Sequence, residues 1–261
     1  MGMNEHGFLS TELESYRLKI RSRQAPYVEF VERVNAYCQE VKFRLNVHNR
    51  DGQQVFAAAL FIKILCDAQA AALLIERGLT SQAGSLLRVA TEALIILAKI
   101  CQSYEFVEAY LRIGERQRLK LVKAIKRNPG SGFDGIRNEL TDELIEGIVA
   151  LVGESGDANV QQWASDVGLL PLYDAIYRLF SQEVHSTPRA LERYLEADEA
   201  GDFKSFDWGP NVEENLKPEL IEASRILIVA LHNLNRLFSL DIEEQLAKFT
   251  AELAQLDREA G

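Results

Sequence analysis

The sequence predicts an all-α protein, a single multi-helix bundle of about nine to eleven helices. Apolar residues recur at the three-to-four-residue spacing of an amphipathic helix along most of the chain. Ala, Leu, Glu, Arg and Ile recur throughout, whereas the 261 residues include only 6 Pro and 16 Gly. Hydrophobic residues make up 47% and charged residues 26%, as in an ordinary soluble domain. The chain is therefore long and apolar enough to bury a substantial helical core.

The N-terminal part (residues 1–50) predicts a helical hairpin that packs on the core. Apolar spacing indicates one helix over about 9–23 and a second over about 26–46, with Pro26 in the first turn, where helices accept proline. The segment VHNRDGQQ then forms a turn before the core bundle of residues 51–261. We expect both parts to belong to one structural domain.

Two long helices should form the centre of this bundle. Asp51 or Asn49 is the predicted cap of the first helix, which ends at Gly78, a residue typical of the position after a helix. The second helix runs from about 81 to 101. Because the link between the two is short, we expect them to be antiparallel neighbours.

The longest apolar run, residues 55–75, belongs to the first of these helices. It contains Lys63, Asp67 and Gln69, which would be costly in lipid, so we interpret it as a core helix and expect no membrane association. The first ten residues lack the basic and apolar regions of a signal peptide.

Three cysteines also indicate a cytoplasmic protein. Cys38, Cys66 and Cys101 are far apart and odd in number, which fits neither a disulfide framework nor a zinc site. We expect buried free thiols, as in a reducing compartment.

The rest of the chain predicts further helices separated by loops. The helices cover about 103–127, 139–152, a short segment around Trp163, 169–184, 189–196, 213–238 and 241–258. Polar and Gly-containing stretches predict loops at 128–135, 153–159 and 197–212, and the last of these is expected to be an irregular loop or lid.

A pair of charges interrupts the apolar helix GSLLRVATEALIILAKICQ. Arg88 and Glu92 are four residues apart and share a helix face, as Lys63 and Asp67 do on the preceding helix. If the chain folds back between these helices, Asp67 lies within a turn of Arg88 and Glu92. That arrangement predicts an Arg88–Asp67 or a Lys63–Glu92 bridge. The pattern favours either an ion network that fixes helix register or an anion site built on Arg88.

A second polar set lies on the helix LYDAIYRLFSQEVHSTP. At about 100° per residue, Tyr177, Arg178, Ser181 and His185 fall within one stripe. His185 also lies at the predicted helix end, where free carbonyl groups favour the imidazolium form and a nearby Arg opposes it. The set is either structural or the reactive part of a site.

These two helices resemble a bacterial family of helical domains of unknown function. That family shows Leu-x-Arg-x3-Glu on one helix and Tyr-x7-Ser-x3-His on a later one, and Arg88, Glu92, Tyr173, Ser181 and His185 match those positions. The resemblance spans about residues 50–240. It implies an all-α fold in which the two motif helices meet, and it supplies no activity.

The spacing Arg178-x6-His185 also resembles the Arg-x4-6-His pattern of the HEPN superfamily of helical nucleases. That resemblance implies a metal-free ribonuclease in which His185 moves protons at the ribose 2′-hydroxyl and the leaving oxygen, while Arg178 stabilises the phosphorane. Catalysis would then rest on His185, Arg178 and Ser181. The residues expected to bind or orient are Arg88, Glu92, Tyr173, Tyr177 and Asp67.

A basic helix, LRIGERQRLKLVKAIKR, separates the two motifs. Five of its cations form one stripe, called here the basic stripe: Arg112, Arg116, Lys120, Lys123 and Arg127. Such a stripe can track phosphates, or it can be a solvated face, or one that docks on acidic residues. The third alternative is relevant because residues 1–130 carry a net charge of +6 and residues 131–261 one of −16, within a total of −10.

Several classes of site are missing from the sequence. It has no glycine-rich phosphate loop, HExxH, GxSxG or CxxC, and its four histidines lack metal-ligand spacing, so we expect no cofactor and no metal.

Three functions stay open. The first is a metal-independent RNA-cleaving protein of toxin or defence type, whose partner is RNA. The second is a non-catalytic helical module whose apolar faces join a homodimer. The third is a sensor that binds a small anion at Arg88.

Overall fold

The computed structural model describes residues 3–128, 132–153, 156–184, 187–210 and 215–260. Within these ranges the chain is helical apart from one small β-hairpin, which confirms the predicted all-α class. The bundle is arranged around two central antiparallel helices and a third one near the C-terminus.

The N-terminal segment contributes α1 (Met3–His6), a 3₁₀ turn, α2 (Leu13–Arg23) and α3 (Ala25–Arg44). Pro26 lies in the first turn of α3, as predicted. Buried side chains of α2 and α3 belong to the same apolar core as the rest of the bundle. Burial of these faces therefore makes the hairpin part of the main core.

The central pair consists of α4 (Gly52–Ile75) and α5 (Thr80–Gln102). The Asp51 carboxylate caps α4 by accepting a 3.1 Å hydrogen bond from the Gln54 amide. Gly78 has a φ of +74°, which a residue with a Cβ rarely adopts, and it turns the chain between the two helices. The two helices pack along their length, and the core-facing side of α5 is apolar and buried from Leu87 to Ile100.

One helix of the described part of the chain, α4, is long and apolar enough by composition to cross a membrane. Core helices of soluble proteins pass the same test. In this structure one face of α4 is buried against α5, the other long helices of the bundle and the apolar core.

The middle of the chain projects from this core. Helix α6 (Glu105–Arg127) packs near its end on α8 (Asp142–Val152), with the short α7 (Asp134–Arg137) between them in sequence. A separate small apolar cluster holds this module together through Val122, Leu140, Ile148 and Val152. Among the described residues, the apolar cluster of this module is thus separate from the main core.

The helix expected over 169–184 is present, but it is not a uniform α-helix. After α9 (Val160–Asp166), the chain forms α10 (Leu170–Leu172), a π-helical turn (Tyr173–Tyr177) and α11 (Arg178–Val184) without a break. The π turn holds one more residue per hydrogen-bonded turn than an α-helix does, so it changes which side chains face the core.

The segment after α11 departs from the prediction. Helix α12 (Pro188–Leu191) and a 3₁₀ turn are followed by β1 (Leu195–Ala197), which pairs antiparallel with β2 (Phe203–Phe206). The predicted helix over 189–196 is therefore too long, and the expected irregular loop or lid holds a strand. Most strands are indicated by an alternation of β-branched and aromatic residues, and this alternation is too short here to be recognised.

Two C-terminal helices complete the bundle. Helix α13 (Lys217–Phe238) packs on α3, α4 and α5, and α14 (Glu243–Ala260) packs on α13. Phe249 of α14 makes edge contacts with Phe30 and Tyr37 of α3, with ring centroids 6.1 and 5.6 Å apart. These contacts join the C-terminus to the N-terminal helices.

Candidate functional site

The candidate site begins with two charged residues on α5. Arg88 and Glu92 flank the face of α5 that Leu87 and Thr91 bury in the core. The Arg88 side chain is 21% exposed and that of Glu92 is 38% exposed. Both therefore lie at the edge of the core and not inside it, so neither charge is fully removed from water.

The helix of residues 170–184 lies against α5 and brings two hydroxyl groups to Arg88. The Arg88 Nε donates to Ser181 Oγ at 3.0 Å, and Nη2 donates to the Tyr177 hydroxyl at 2.7 Å. The guanidinium carbon also lies 4.5 Å from the centroid of the Tyr177 ring. Arg88 thus links α5 to the π turn and to α11.

Glu92 completes this arrangement, called here the Arg88 cluster (Arg88, Glu92, Tyr177 and Ser181). Glu92 lies 3.8 Å from Arg88 Nη1 and accepts a 3.4 Å hydrogen bond from the Tyr177 hydroxyl. Ser181 in turn donates to the Tyr177 carbonyl at 2.5 Å. The side chains on the two motif helices therefore meet at one point.

Burial and the charge of Glu92 both favour the protonated phenol of Tyr177. Burial raises the pKa of Tyr177, and the negative charge of Glu92 raises it further, while Arg88 opposes that effect. Burial and Glu92 also raise the pKa of Tyr110 on α6. Two neutral phenols thus lie near the Glu92 carboxylate, and Tyr177 acts as a hydrogen-bond donor to it.

Arg178 lies at the outer edge of the cluster, on the far side of an aromatic stack. The Tyr173 and Tyr177 rings are stacked, with centroids 4.7 Å apart and an interplanar angle of 17°. Arg178 lies 5.7 Å from the Tyr173 centroid and pairs with Asp174 at 3.0 Å, and its side chain is 57% exposed. The predicted stripe therefore divides, because Tyr177 and Ser181 face Arg88 while Arg178 faces solvent.

Two further predicted site residues are His185 and Asp67. His185 lies outside the described residues, which resume at Thr187. Asp67 bonds Lys63 of its own helix at 2.8 Å. Among the ion pairs of the described residues there is neither an Arg88–Asp67 nor a Lys63–Glu92 bridge, because Arg88 turns towards α11 while Lys63 and Asp67 pair with each other along α4.

A groove of about 300 Å³ extends from Glu92 towards α6. Phe56, Ile96, Tyr110 and Trp163 contribute to its walls. Tyr110 and Phe56 are not among the predicted site residues, since a lone aromatic residue in a helical pattern is indistinguishable from a core residue. Their position was set by the packing of α6 against α4 and α5.

The basic stripe lies on an exposed face of α6, and acidic residues cover part of it. Asp157 bonds both Arg116 and Lys120, at 3.3 and 3.0 Å, while Glu108 bonds Arg112 at 3.0 Å. Among the described residues, Lys123 and Arg127 form no ion pair, so the positive charge is least compensated at the end of α6. No hydrogen bond or ion pair joins the stripe to the Arg88 cluster within the same described ranges.

The structure thus defines an all-α protein in which a four-residue polar cluster joins α5 to the helix of residues 170–184. Within the described ranges, no group of three or more His, Cys, Asp or Glu side chains could hold a metal ion. The chain belongs to DUF5677, a family of unknown function whose sequence model matches residues 54–203. That range holds both motif helices, and the predicted membership of a family of unknown function is confirmed. Searches of curated proteins and of solved structures found no match to this chain.

Proposed function

We propose that the protein is a metal-independent ribonuclease whose reactive residues are Arg178 and His185. The observation that supports this best is the Arg88 cluster, which holds the helix of residues 170–184 on α5 through side-chain hydrogen bonds. The same helix presents Arg178 to solvent, and His185 follows its last residue, Val184, in the sequence. A catalytic pair on this helix would need such a fixed support, because transition-state stabilisation depends on geometry.

The proposed reaction is the intramolecular transesterification of RNA, catalysed by general acid–base groups of the protein. The ribose 2′-oxygen forms a bond to phosphorus, and the bond from phosphorus to the 5′-oxygen breaks. One proton leaves the 2′-hydroxyl and another reaches the 5′-oxygen, and His185 serves this exchange. Arg178 stabilises the charge of the phosphorane. The products are a cyclic phosphate and a free 5′-hydroxyl, so no water, metal or oxidant is consumed.

Arg88 has a positioning role in this proposal. Two of its five N–H groups already donate to Ser181 and Tyr177, and the Glu92 carboxylate lies 3.8 Å from Nη1, where its negative charge disfavours a phosphate. The uncompensated end of the basic stripe, Lys123 and Arg127, is the better candidate for contacts to the RNA backbone. Such contacts would make binding weaken as salt concentration rises.

The test is cleavage of mixed RNA by the full chain in the presence of a metal chelator. We expect cleavage by the wild type and a rate loss of about 100-fold or more in His185→Ala and in Arg178→Ala. Arg118→Ala is the matched control, since Arg118 is an exposed arginine (53%) outside the stripe. Equal rates in the wild type and His185→Ala, or no cleavage by either, would contradict the proposal.

A second candidate is a non-catalytic helical module in which the Arg88 cluster only fixes helix register. The observation that favours it is that the guanidinium is already engaged within the chain. In this case Arg88→Ala lowers stability while Arg178→Ala and His185→Ala change nothing measurable in RNA assays. The sensor hypothesis required an unpaired Arg88, and we do not propose it because Arg88 is paired.

A further inference from the structure

Helix α4 carries an apolar stripe on the side that faces away from the core. The exposed members of this surface, called here the α4 stripe, are Val55, Ala59, Ile62, Cys66 and Leu73. Val55 is 38%, Ile62 is 47% and Leu73 is 55% exposed. An apolar face of this length on a helix is normally covered, because its burial is favourable by the hydrophobic effect.

The spacing of the stripe is that of a helix that packs on another helix. Successive members are separated by four, three, four and seven residues, which is the heptad pattern of two-stranded packing. The core-facing residues of α4 are different ones and lie on the opposite face, as Ala57, Ile64 and Ala71 show by being fully buried. The chain's own bundle therefore uses one face of α4 and leaves the second apolar face exposed.

We propose that the α4 stripe is the interface of a homodimer in which α4 of a second copy packs antiparallel on it. Residue 64 lies midway between Val55 and Leu73, so a twofold axis there places Val55 against Leu73 of the second copy and Ile62 against Cys66. One stripe is then complementary to itself, as a twofold interface requires.

Charges at the edge of the stripe select the antiparallel orientation. Lys63 and Asp67 flank the stripe on the same side, one residue before and three residues after the midpoint. In the antiparallel pair, Lys63 of each copy lies about 3 Å along the axis from Asp67 of the other copy and as far from the other Lys63, while the two Asp67 lie about 9 Å apart. The two attractive pairs therefore outweigh the close repulsive pair. A parallel pair would place the Lys63 and Asp67 of the two copies on opposite sides of the seam, where these charges do not meet.

The ends of α4 are complementary in the same way. Arg77 follows the C-terminal end of α4 and Asp51 caps its N-terminal end, and the two are equally distant from residue 64. Antiparallel packing sets each Arg77 level with Asp51 of the other copy. It also places the positive N-terminus of each helix beside the negative C-terminus of its neighbour. Two reciprocal charge pairs thus flank one apolar seam.

The first experiment measures the mass of the full chain in solution by sedimentation over a wide range of concentration. We expect a dimer for the wild type and a monomer for Ile62→Lys, which places a charge at the centre of the seam. Leu18→Lys, a matched change of an exposed residue on α2 (57%), should stay dimeric. Circular dichroism shows whether each variant is folded. A monomeric wild type, or a dimer unaffected by Ile62→Lys, overturns the proposal.

The second experiment tests the orientation by mixing two variants. In a dimer of Lys63→Asp, this edge of the seam carries only negative charges from positions 63 and 67. In a dimer of Asp67→Lys, it carries only positive charges. Each variant alone should therefore dimerise more weakly than the wild type. An equimolar mixture should recover the dimer as a heterodimer, because opposite charges then meet across the seam. Failure of the mixture to recover would contradict antiparallel packing.

The third experiment uses the native cysteines and needs no variant that weakens the fold. Cys66 is exposed, whereas Cys38 is fully buried and burial raises the pKa of Cys101 to about 12. A maleimide should therefore label Cys66 first. Labelling should slow several-fold as protein concentration rises and the dimer forms. A Cys66 labelling rate that does not change with concentration would count against an interface at this stripe.

Discussion

At the scale of single residues, Arg88 shows how a charge is accommodated in an apolar helix. The guanidinium is largely removed from water, which is costly unless its donors are satisfied. Ser181, the Tyr177 hydroxyl and the Tyr177 ring together replace the lost water. The residue therefore serves as a cross-link between α5 and α11.

Removal of the Tyr177 hydroxyl tests the strength of this cross-link. Tyr177→Phe keeps the ring over Arg88 but removes the hydrogen bonds to Arg88 and Glu92. We expect a loss of about 1 to 2 kcal/mol in the free energy of unfolding, measured by urea denaturation. Tyr104→Phe, an exposed tyrosine, is the control and should change stability by less than about 0.5 kcal/mol. Equal effects of the two changes would mean that the hydroxyl of Tyr177 carries no stability.

Glu222 provides a prediction on pH. This glutamate of α13 is buried, and burial raises the pKa of its carboxyl above the ordinary 4.5, while Arg225 at 3.0 Å opposes this effect only in part. The folded chain therefore holds the proton to a higher pH than the unfolded chain does. It follows that the free energy of unfolding falls as the pH rises above about 4.5 through the folded pKa.

Glu222→Gln removes this dependence, because the amide does not ionise. Its stability relative to the wild type should increase between about pH 4 and pH 7, measured by urea unfolding at each pH. Glu40→Gln, a change at an exposed position, is the control and should show no such trend. A constant difference between Glu222→Gln and the wild type at all pH values would show that ionisation of Glu222 has no net cost.

At the scale of elements, α5 is the helix on which the rest of the bundle depends. It packs on α4, α13 and α11, and Leu94 at its centre is fully buried. Leu94→Ala leaves a cavity that the surrounding helices cannot fill. We expect a loss of about 2 to 5 kcal/mol in unfolding free energy.

The control for this change is a leucine on an exposed surface. Leu121→Ala on α6, where the side chain is 59% exposed, should change stability by less than about 0.5 kcal/mol. Comparable losses for the two variants would mean that α5 is not the centre of the core. Urea denaturation of both variants at one pH makes the comparison.

At the scale of the whole molecule, the chain has one large core and one small satellite. The satellite consists of the end of α6 with α7 and α8, and its apolar cluster is much smaller than the main core. Regions with few buried apolar contacts open with a lower free energy than the core does. Hydrogen exchange should therefore be faster in α8 than in α4, α5 and α13.

A variant with a weakened satellite cluster separates local from global opening. Ile148→Ala should accelerate exchange in α8 and the end of α6 while the protection of α5 stays unchanged. If exchange in α5 accelerates equally, the satellite and the main core unfold as one unit.

Much of the architecture follows from local patterns in the sequence. Helical periodicity predicted the central helices to within a few residues, Asp51 and Gly78 mark one helix start and one turn, and Arg88 and Glu92 share a face because they are four residues apart. These properties depend on neighbours in the chain, which any helix brings together in the same way.

Only the tertiary structure decided which of these polar residues meet. The contacts of Tyr177 and Ser181 with Arg88, and those of Asp157 with the basic stripe, have no local signature, because they depend on how segments far apart in sequence pack together. The same packing turns Arg88 towards α11 and leaves Asp67 paired with Lys63 on its own helix. The π turn and the β-hairpin are local, but they are too short to be recognised from their sequence pattern. Packing selects one arrangement among many that satisfy the same periodicity, because only one of them fills the core and satisfies its charges at once.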